Sequence, residues 1–393
     1  MSTTELPPGA NLAALRKAHG LSQAQLARKA SVSLSLLSKI EVGDRALTPA
    51  VASALGKPMG LSMAEVLGRT TVARGGKRPL AELRAALRDY DLPQPQTASG
   101  QKLKTTLATA SRHRKHVEVD KLLKLLPALL RDATTEAHTE NTPEGWMLLA
   151  DVYSHVYWLA ARHRWMDMAE LAVARQRWAV EQRPNPLGRA VAARDRAGTY
   201  LNFGDIERGL NIVDRAISDA ERELSGTDRD IAVCILNLRG MTLAGRLGDK
   251  GEAKKEAARH IRSALAASVG VGKDRDVHGL TVGPQNAFAH QLATYVDLGR
   301  PRDALALTDD LTAALAGLPP TRTAPTYINA ARAQLDIGDR DGALENLSRA
   351  WGVAPQMARI HPMGREVFRV VSSLHRRSNS EILKLSKLSG IAL

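Results

Sequence analysis

One turn signal returns along the chain from about Gln101 to its end and restricts that region to stacked helices. Asn202-Phe203-Gly204-Asp205, Leu247-Gly248-Asp249, Leu298-Gly299-Arg300 and Ile337-Gly338-Asp339 each set a glycine between two segments of helical apolar periodicity. Glycine there can take the left-handed backbone that ends a helix. Five residues beyond each glycine stands a small residue, Gly209, Ala253, Ala304 or Ala343, and Arg164 with Ala169 repeats the spacing without a glycine. Bulky groups recur eleven residues before the turn, at Tyr153, Phe288 and Tyr327, and tyrosines four before it, at Tyr200 and Tyr295. No strand-like alternation persists. The expected fold class is all-α, with helical hairpins stacked into a superhelix.

The turn glycines lie 44, 51 and 39 residues apart. Apart from this longer and irregular period, the pattern resembles the tetratricopeptide repeat, whose usual period is about 34 residues. Pro355 stands where that family's terminating proline would fall. The resemblance implies a concave surface lined by the first helix of each hairpin. It also implies a ligand-binding Asn nine residues before the turn glycine. That position holds Asp195, Arg239, His290 and Asn329, with Asn237 and Asn286 nearby on the same helices. An Asn amide can donate to and accept from a peptide backbone at once, and Arg239 can hold a carboxylate. The expected effector site is therefore Asn237, Arg239, Asn286, His290 and Asn329, for a peptide or small molecule.

The segment from about Gly9 to Gly68 reads as five short helices. Leu12, Leu15 and Ala18 give the first an apolar stripe, and Gly20 can stop it. Ser22 and Ser33 are placed to cap the second and third, and Thr48-Pro49 is a strong start for the fourth. Leu26, Ala27, Ala30, Leu37 and Ile40 are the expected core, and the fifth helix lies around Met63 to Leu67. Two short helices joined by a tight turn form a helix-turn-helix.

Leu15-Arg16, Gly20-Leu21-Ser22-Gln23, Leu26-Ala27, Val32-Ser33, Ile40-Glu41-Val42-Gly43 and Arg45 resemble the phage-repressor-like Xre (Cro/C1) helix-turn-helix family over about sixty residues. That family usually has glycine in the inter-helix turn, where this chain has Ser31, so Ser31 must take a left-handed backbone at a cost of order 1 kcal/mol. The segment Lys57-Pro58-Met59-Gly60 also departs from the pattern. The family's docking mode implies that the start of the third helix enters the major groove. Leu34, Ser35, Ser38 and Lys39 then occupy the base-reading positions, Lys39 reaching a guanine edge or a phosphate. Gln23 and Arg45 match positions that touch phosphates, and the cap residue Ser33 belongs to the same DNA-binding set. Glu41 is expected to accept local hydrogen bonds rather than to touch DNA.

The formal net charge of +14 favours an anionic partner. A single cysteine, Cys234, excludes an internal disulfide and any multi-cysteine zinc site. No signal peptide and no membrane-spanning run is expected. His113 and His116 sit in a run crowded with positive charge, which repels a metal cation, and Gly270-Val271-Gly272-Lys273 lacks the spacing of a phosphate loop. No catalytic residue, metal or cofactor is expected, and the chain is read as not an enzyme. The basic stretch Lys102 to Lys124 reads as a solvated helix face, with an extension of the DNA-binding footprint as the alternative. The tail from Arg365 reads as two amphipathic helices that cap the last repeat or supply a dimer contact.

The expected organisation is a helix-turn-helix domain over 1–69, a linker over 70–79, a helical connector over 80–140, tetratricopeptide-like repeats over 141–357 and capping helices over 358–393. With both resemblances together, the chain looks like a bacterial, actinomycete-like regulator. It is expected to be cytoplasmic and homodimeric, to bind a double-stranded DNA operator and to sense an effector through its repeats. The alternative is a repeat-based protein-interaction scaffold with weak or non-specific DNA binding.

Overall fold

The structure is a computed structural model that describes residues 6–61, 63–68, 77–95, 100–247, 250–375 and 379–393. Five helices build the N-terminal domain: α1 (Pro8–Ala18), α2 (Gln23–Lys29), α3 (Leu34–Val42), α4 (Pro49–Gly56) and α5 (Met63–Leu67). Local chemistry sets their ends. Ser22 and Gln25 form a reciprocal capping box on α2, Ser33 Oγ accepts from Leu36 N on α3, and Thr48 Oγ1 accepts from Val51 N on α4. Leu12, Leu26, Leu37, Ile40, Leu47 and Leu55 close a core belonging to this domain alone. Ala18, expected in the apolar stripe, is exposed, and Arg16 is buried on α1 in its stead.

Ser31 has φ 55°, the left-handed backbone its place in the turn demands. Ser31→Gly is therefore expected to stabilise the domain by up to about 1 kcal/mol, since relief of strain exceeds the added freedom of the unfolded chain. Chemical denaturation reads this directly, and an unchanged or lower midpoint contradicts it.

The connector consists of α6 (Lys77–Arg88), α7 (Gly100–Lys115) and α8 (Val119–Glu140). Helix α6 begins inside the segment expected to be linker, because Pro79 is tolerated in a first helical turn. The rest of that linker, 70–76, lies outside the described residues. Helical hairpins follow: α9 (Pro143–His163) with α10 (Met166–Glu181), α11 (Pro186–Phe203) with α12 (Ile206–Glu223), and α13 (Gly226–Ala244) with α14 (Lys250–Val271). Helix α15 (Pro284–Asp297) pairs with the short α16 (Pro301–Leu305) and α17 (Leu311–Ala314), and α18 (Pro320–Ile337) pairs with α19 (Arg340–Val353). Helices α20 (Met357–Ile360), α21 (Pro362–Leu374) and α22 (Ser380–Ser389) end the chain.

Gly204, Gly299 and Gly338 take φ of 76°, 71° and 88° at their turns, and Arg164 takes 58° at the position that lacks glycine. Gly248 lies outside the described residues. Ala169, Gly209, Ala253, Ala304 and Ala343 are buried where the second helix of each hairpin crosses the first. A Cβ on Gly209 would lie 2.8 Å from Leu243 Cδ2 on α13 and 3.4 Å from Ala197 O on α11, so only a small residue fits between its neighbours. The first helices α9, α11, α13, α15, α18 and α21 pack side by side in that order. The arc then meets its own beginning, where α7 touches α18 and Val119 N donates to Gln356 Oε1 at 2.8 Å.

An antiparallel hairpin, β1 (Arg275–Val277) with β2 (Leu280–Val282), interrupts the helices. It corrects the expectation that no strand occurs in this region. His278 and Gly279 turn it with φ of 51° and 70°, the positive pair that a two-residue hairpin loop requires. The hairpin reaches back across the arc, where His278 Nδ1 lies 3.1 Å from Asp151 Oδ2 on α9 and Lys115 Nζ lies 2.6 Å from Asp276 Oδ2.

Candidate nucleic-acid interface and concave face

Helix α3 buries Leu37 and Ile40 and turns its opposite side to solvent. Leu34 is 49% exposed, Ser35 and Lys39 are exposed, and Ser38 is half-buried beside them. Their spacing along one helix places all four on one face. Ser33 stands at the head of that face with its hydroxyl engaged in the cap. The two flanking residues assigned to phosphates differ in their surroundings. Gln23 Nε2 donates to Glu41 Oε2 at 2.8 Å, and Arg45 Nη2 donates to Asp336 Oδ1 on α18 at 3.0 Å.

Glu41 joins three helices. Arg16 Nε and Nη2 donate to its two oxygens at 2.6 and 2.7 Å, and Arg16 Nη1 donates to Leu21 O at 2.8 Å. Burial pushes the Glu41 carboxyl up, but hydrogen bonds from Arg16 and Gln23 outweigh it and hold the group below its ordinary value. This fork-to-fork pair fixes α3 against α1 and so fixes the angle at which the exposed face is presented.

The remaining sides of the domain rest on the turn ends of the repeat body. Arg164 Nη1 donates to Leu67 O at 2.8 Å, α5 packs against α11, and Gly204 lies against Ser53. The Leu47 backbone lies beside the Glu366 carboxyl on α21 and favours its charged form against burial, and Ala46 packs into the main core. The exposed face of α3 takes no part in these contacts. The Arg45–Asp336 pair is 54% and 36% exposed, so its own contribution is about 0–1 kcal/mol. Asp336→Ala is therefore expected to leave the fold intact and raise DNA affinity at low salt by up to about fivefold, as Arg45 is released toward phosphate. Fluorescence anisotropy measures this, and weaker binding would remove Arg45 from the phosphate contacts.

The five residues expected on the concave face fall into separate networks. His290 and Asn286 line one small pocket with Arg194, Thr281 and Arg322. Asn286 Nδ2 donates to Thr281 O at 2.7 Å, tying β2 to α15. Arg239 Nε donates to Arg194 O at 3.2 Å on the neighbouring helix. Burial, with Arg322, Arg194 and Arg239 close by, pushes the His290 imidazole well below its usual value and keeps it neutral. Asn237 instead faces α14, where its Oδ1 lies 2.8 Å from His260 Nδ1. Asn329 Oδ1 accepts from Arg332 Nη1 at 2.9 Å, and Arg332 also pairs with Asp297. Asp195 is fully buried beneath this surface.

Sequence reasoning missed Arg114, Arg162, Arg194 and Arg322, which stand around Arg239 and His290. Arg114 was expected on a solvated face and is only 3% exposed. The available signal was an arginine on each of several first helices. Among the described residues no group of His, Cys, Asp and Glu is arranged to hold a metal, and no helix is long and apolar enough to cross a membrane.

Residues 12–66 match the helix-turn-helix family, a span that runs from Leu12 of α1 to Val66 of α5. The match makes the N-terminal domain a Cro/C1-type helix-turn-helix, the kind found in DNA-binding transcription regulators. No curated protein matches the chain.

Proposed function

We propose that the chain is a dimeric, sequence-specific transcription regulator, acting in the cytoplasm, whose tetratricopeptide-like repeat body senses a peptide or small-molecule effector. It carries out no catalytic step and uses no cofactor. The observation that carries this reading is the division of the N-terminal domain into two sides. Leu34, Ser35 and Lys39 lie open on α3 with Ser38 half-buried beside them, whereas Leu67 and Arg45 are held by Arg164 and Asp336 and Leu47 lies beside Glu366 on α21.

Those attachments fall on the α9–α10 turn, on α18 and on α21, so a change in curvature of the arc would move α3 as well. Two recognition helices must lie about 34 Å apart to meet successive major grooves. An effector that binds one curvature more tightly than the other shifts that spacing and thereby DNA affinity, and one with equal affinity for both shifts nothing. The test is the stoichiometry of the full chain on its preferred duplex by sedimentation. Two chains per duplex support the reading, and saturation at one chain per duplex contradicts it.

A further inference from the structure

The concave face carries more positive charge than its own carboxylates neutralise. Arg114 at the end of α7, Arg162 near the end of α9, Arg194 on α11, Arg239 on α13 and Arg322 on α18 converge there. One fully buried carboxylate, Asp195, pairs with Arg194 at 2.5 Å and also accepts from Ser154 Oγ at 2.8 Å. The other carboxylates around the face are committed elsewhere. Asp276 pairs with Lys115, Asp151 with His278, and Asp297 with both Arg246 and Arg332. Arg114, Arg162, Arg239 and Arg322 have no carboxylate at ion-pair distance among the described residues.

Donors without acceptors mark the same place. Arg322 Nε is buried with no hydrogen-bond partner, and so is Trp158 Nε1. The Trp158 ring has Arg114 at 5.8 Å and Arg162 at 5.5 Å from its centroid. Arg114 reaches only a hydroxyl, Ser154 Oγ, at 3.3 Å, and Arg239 only a backbone carbonyl. The β1–β2 turn closes over this group, with Gly279 set against Arg114 and His155. Burial and mutual repulsion push the Arg114 and Arg239 guanidiniums down to about 10 and hold Arg322 well below its usual value. Arg162, Arg194, Arg239 and Arg322 are each half-buried, so like charges gathered there without enough carboxylates repel one another, and an opposite charge would relieve that repulsion.

We propose that Arg162, Arg194, Arg239 and Arg322 form the binding site for a small molecule bearing two or more phosphate or carboxylate groups. Guanidinium forks match both groups bidentately. A singly charged ligand would leave most of the surplus in place, so the occupant carries several negative charges. Its location deepens the effector-sensing reading and rests on that reading only for its consequence at DNA.

The experiment is calorimetric titration of the full chain with pyrophosphate and, separately, with citrate, at constant ionic strength set by chloride. Saturable binding of one ligand per chain is expected for at least one of them, and whichever binds assigns phosphate or carboxylate chemistry. Arg239→Ala and Arg322→Ala should each weaken it at least about tenfold, while Arg208→Ala, on the exposed side of α12, leaves it unchanged. Each lumen variant should melt at or above the parent temperature without ligand, because repulsion is relieved. No saturable binding by either anion, binding that survives both variants, or variants that melt several degrees lower would overturn the site. Saturable binding that leaves DNA affinity unchanged supports the site and removes the effector reading instead.

Discussion

Glu41→Ala is expected to destabilise the N-terminal domain by about 3–5 kcal/mol, the cost of stranding a buried partner charge. The Arg16 and Glu41 side chains are only 9% and 5% exposed, and their two hydrogen bonds span α1 and α3. Removing the carboxylate leaves the buried Arg16 guanidinium with only the Leu21 carbonyl as a hydrogen-bond partner and frees Gln23 as well. A domain of this size has total stability of similar magnitude, so a separate early melting transition should appear. DNA binding should be lost with it, although Glu41 touches no base. A change below about 1 kcal/mol would show the pair to be dispensable. The pair also fixes an acid limit. The Glu41 carboxyl titrates below its ordinary 4.5 in the folded domain, so its stabilisation is complete above that value and is lost as pH falls toward the lower folded one. Glu41→Ala should lack this component of acid sensitivity.

The double substitution Ser35→Ala with Lys39→Ala is expected to weaken binding to the preferred site about 10- to 100-fold, since a good base contact contributes about 1–3 kcal/mol. Both residues are exposed on α3 and hold no part of the core, so thermal stability should change by no more than about 0.5 kcal/mol. Lys39→Ala alone separates two roles. Contact with a phosphate predicts a salt slope reduced by about one and uniform loss across sequences, whereas contact with guanine predicts relaxed preference at one base. Affinity within twofold of the parent for the double variant would mean that α3 does not read DNA.

What the sequence disclosed was set by the range of the interactions involved. Ser22, Ser33 and Thr48-Pro49 mark helix starts because a cap is settled within three residues, and α3 begins where Ser33 places it. The left-handed turns were legible at Gly204, Gly299 and Gly338, and even at Arg164, because backbone demand repeats with the hairpin. The Arg16–Glu41 pair spans 25 residues, and no local pattern distinguishes a buried arginine from a solvated one. Ala18 was misplaced for that reason. The β1–β2 hairpin escaped because strands of three residues are too short to show alternation, and His278-Gly279 is a rarer turn pair than Asn-Gly.

The concave face shows the same limit more sharply. Asn237 and Arg239 stand two apart on α13 and therefore point about 200° from each other, so they do not share a surface. Asn286 and His290 stand four apart and line one pocket. The arginine cluster draws on helices from α7 to α18, and its members meet only because the arc closes. No spacing rule within one helix reports that closure.

The most direct measurement is selection of bound duplexes from random-sequence DNA by the full chain, followed by sequencing. A recurrent inverted repeat with half-sites about 10–10.5 base pairs apart, centre to centre, is the expected result. That enrichment should vanish for the Ser35→Ala, Lys39→Ala variant. Uniform recovery of all sequences by the parent protein would contradict sequence-specific binding and leave a basic protein attracted to any duplex.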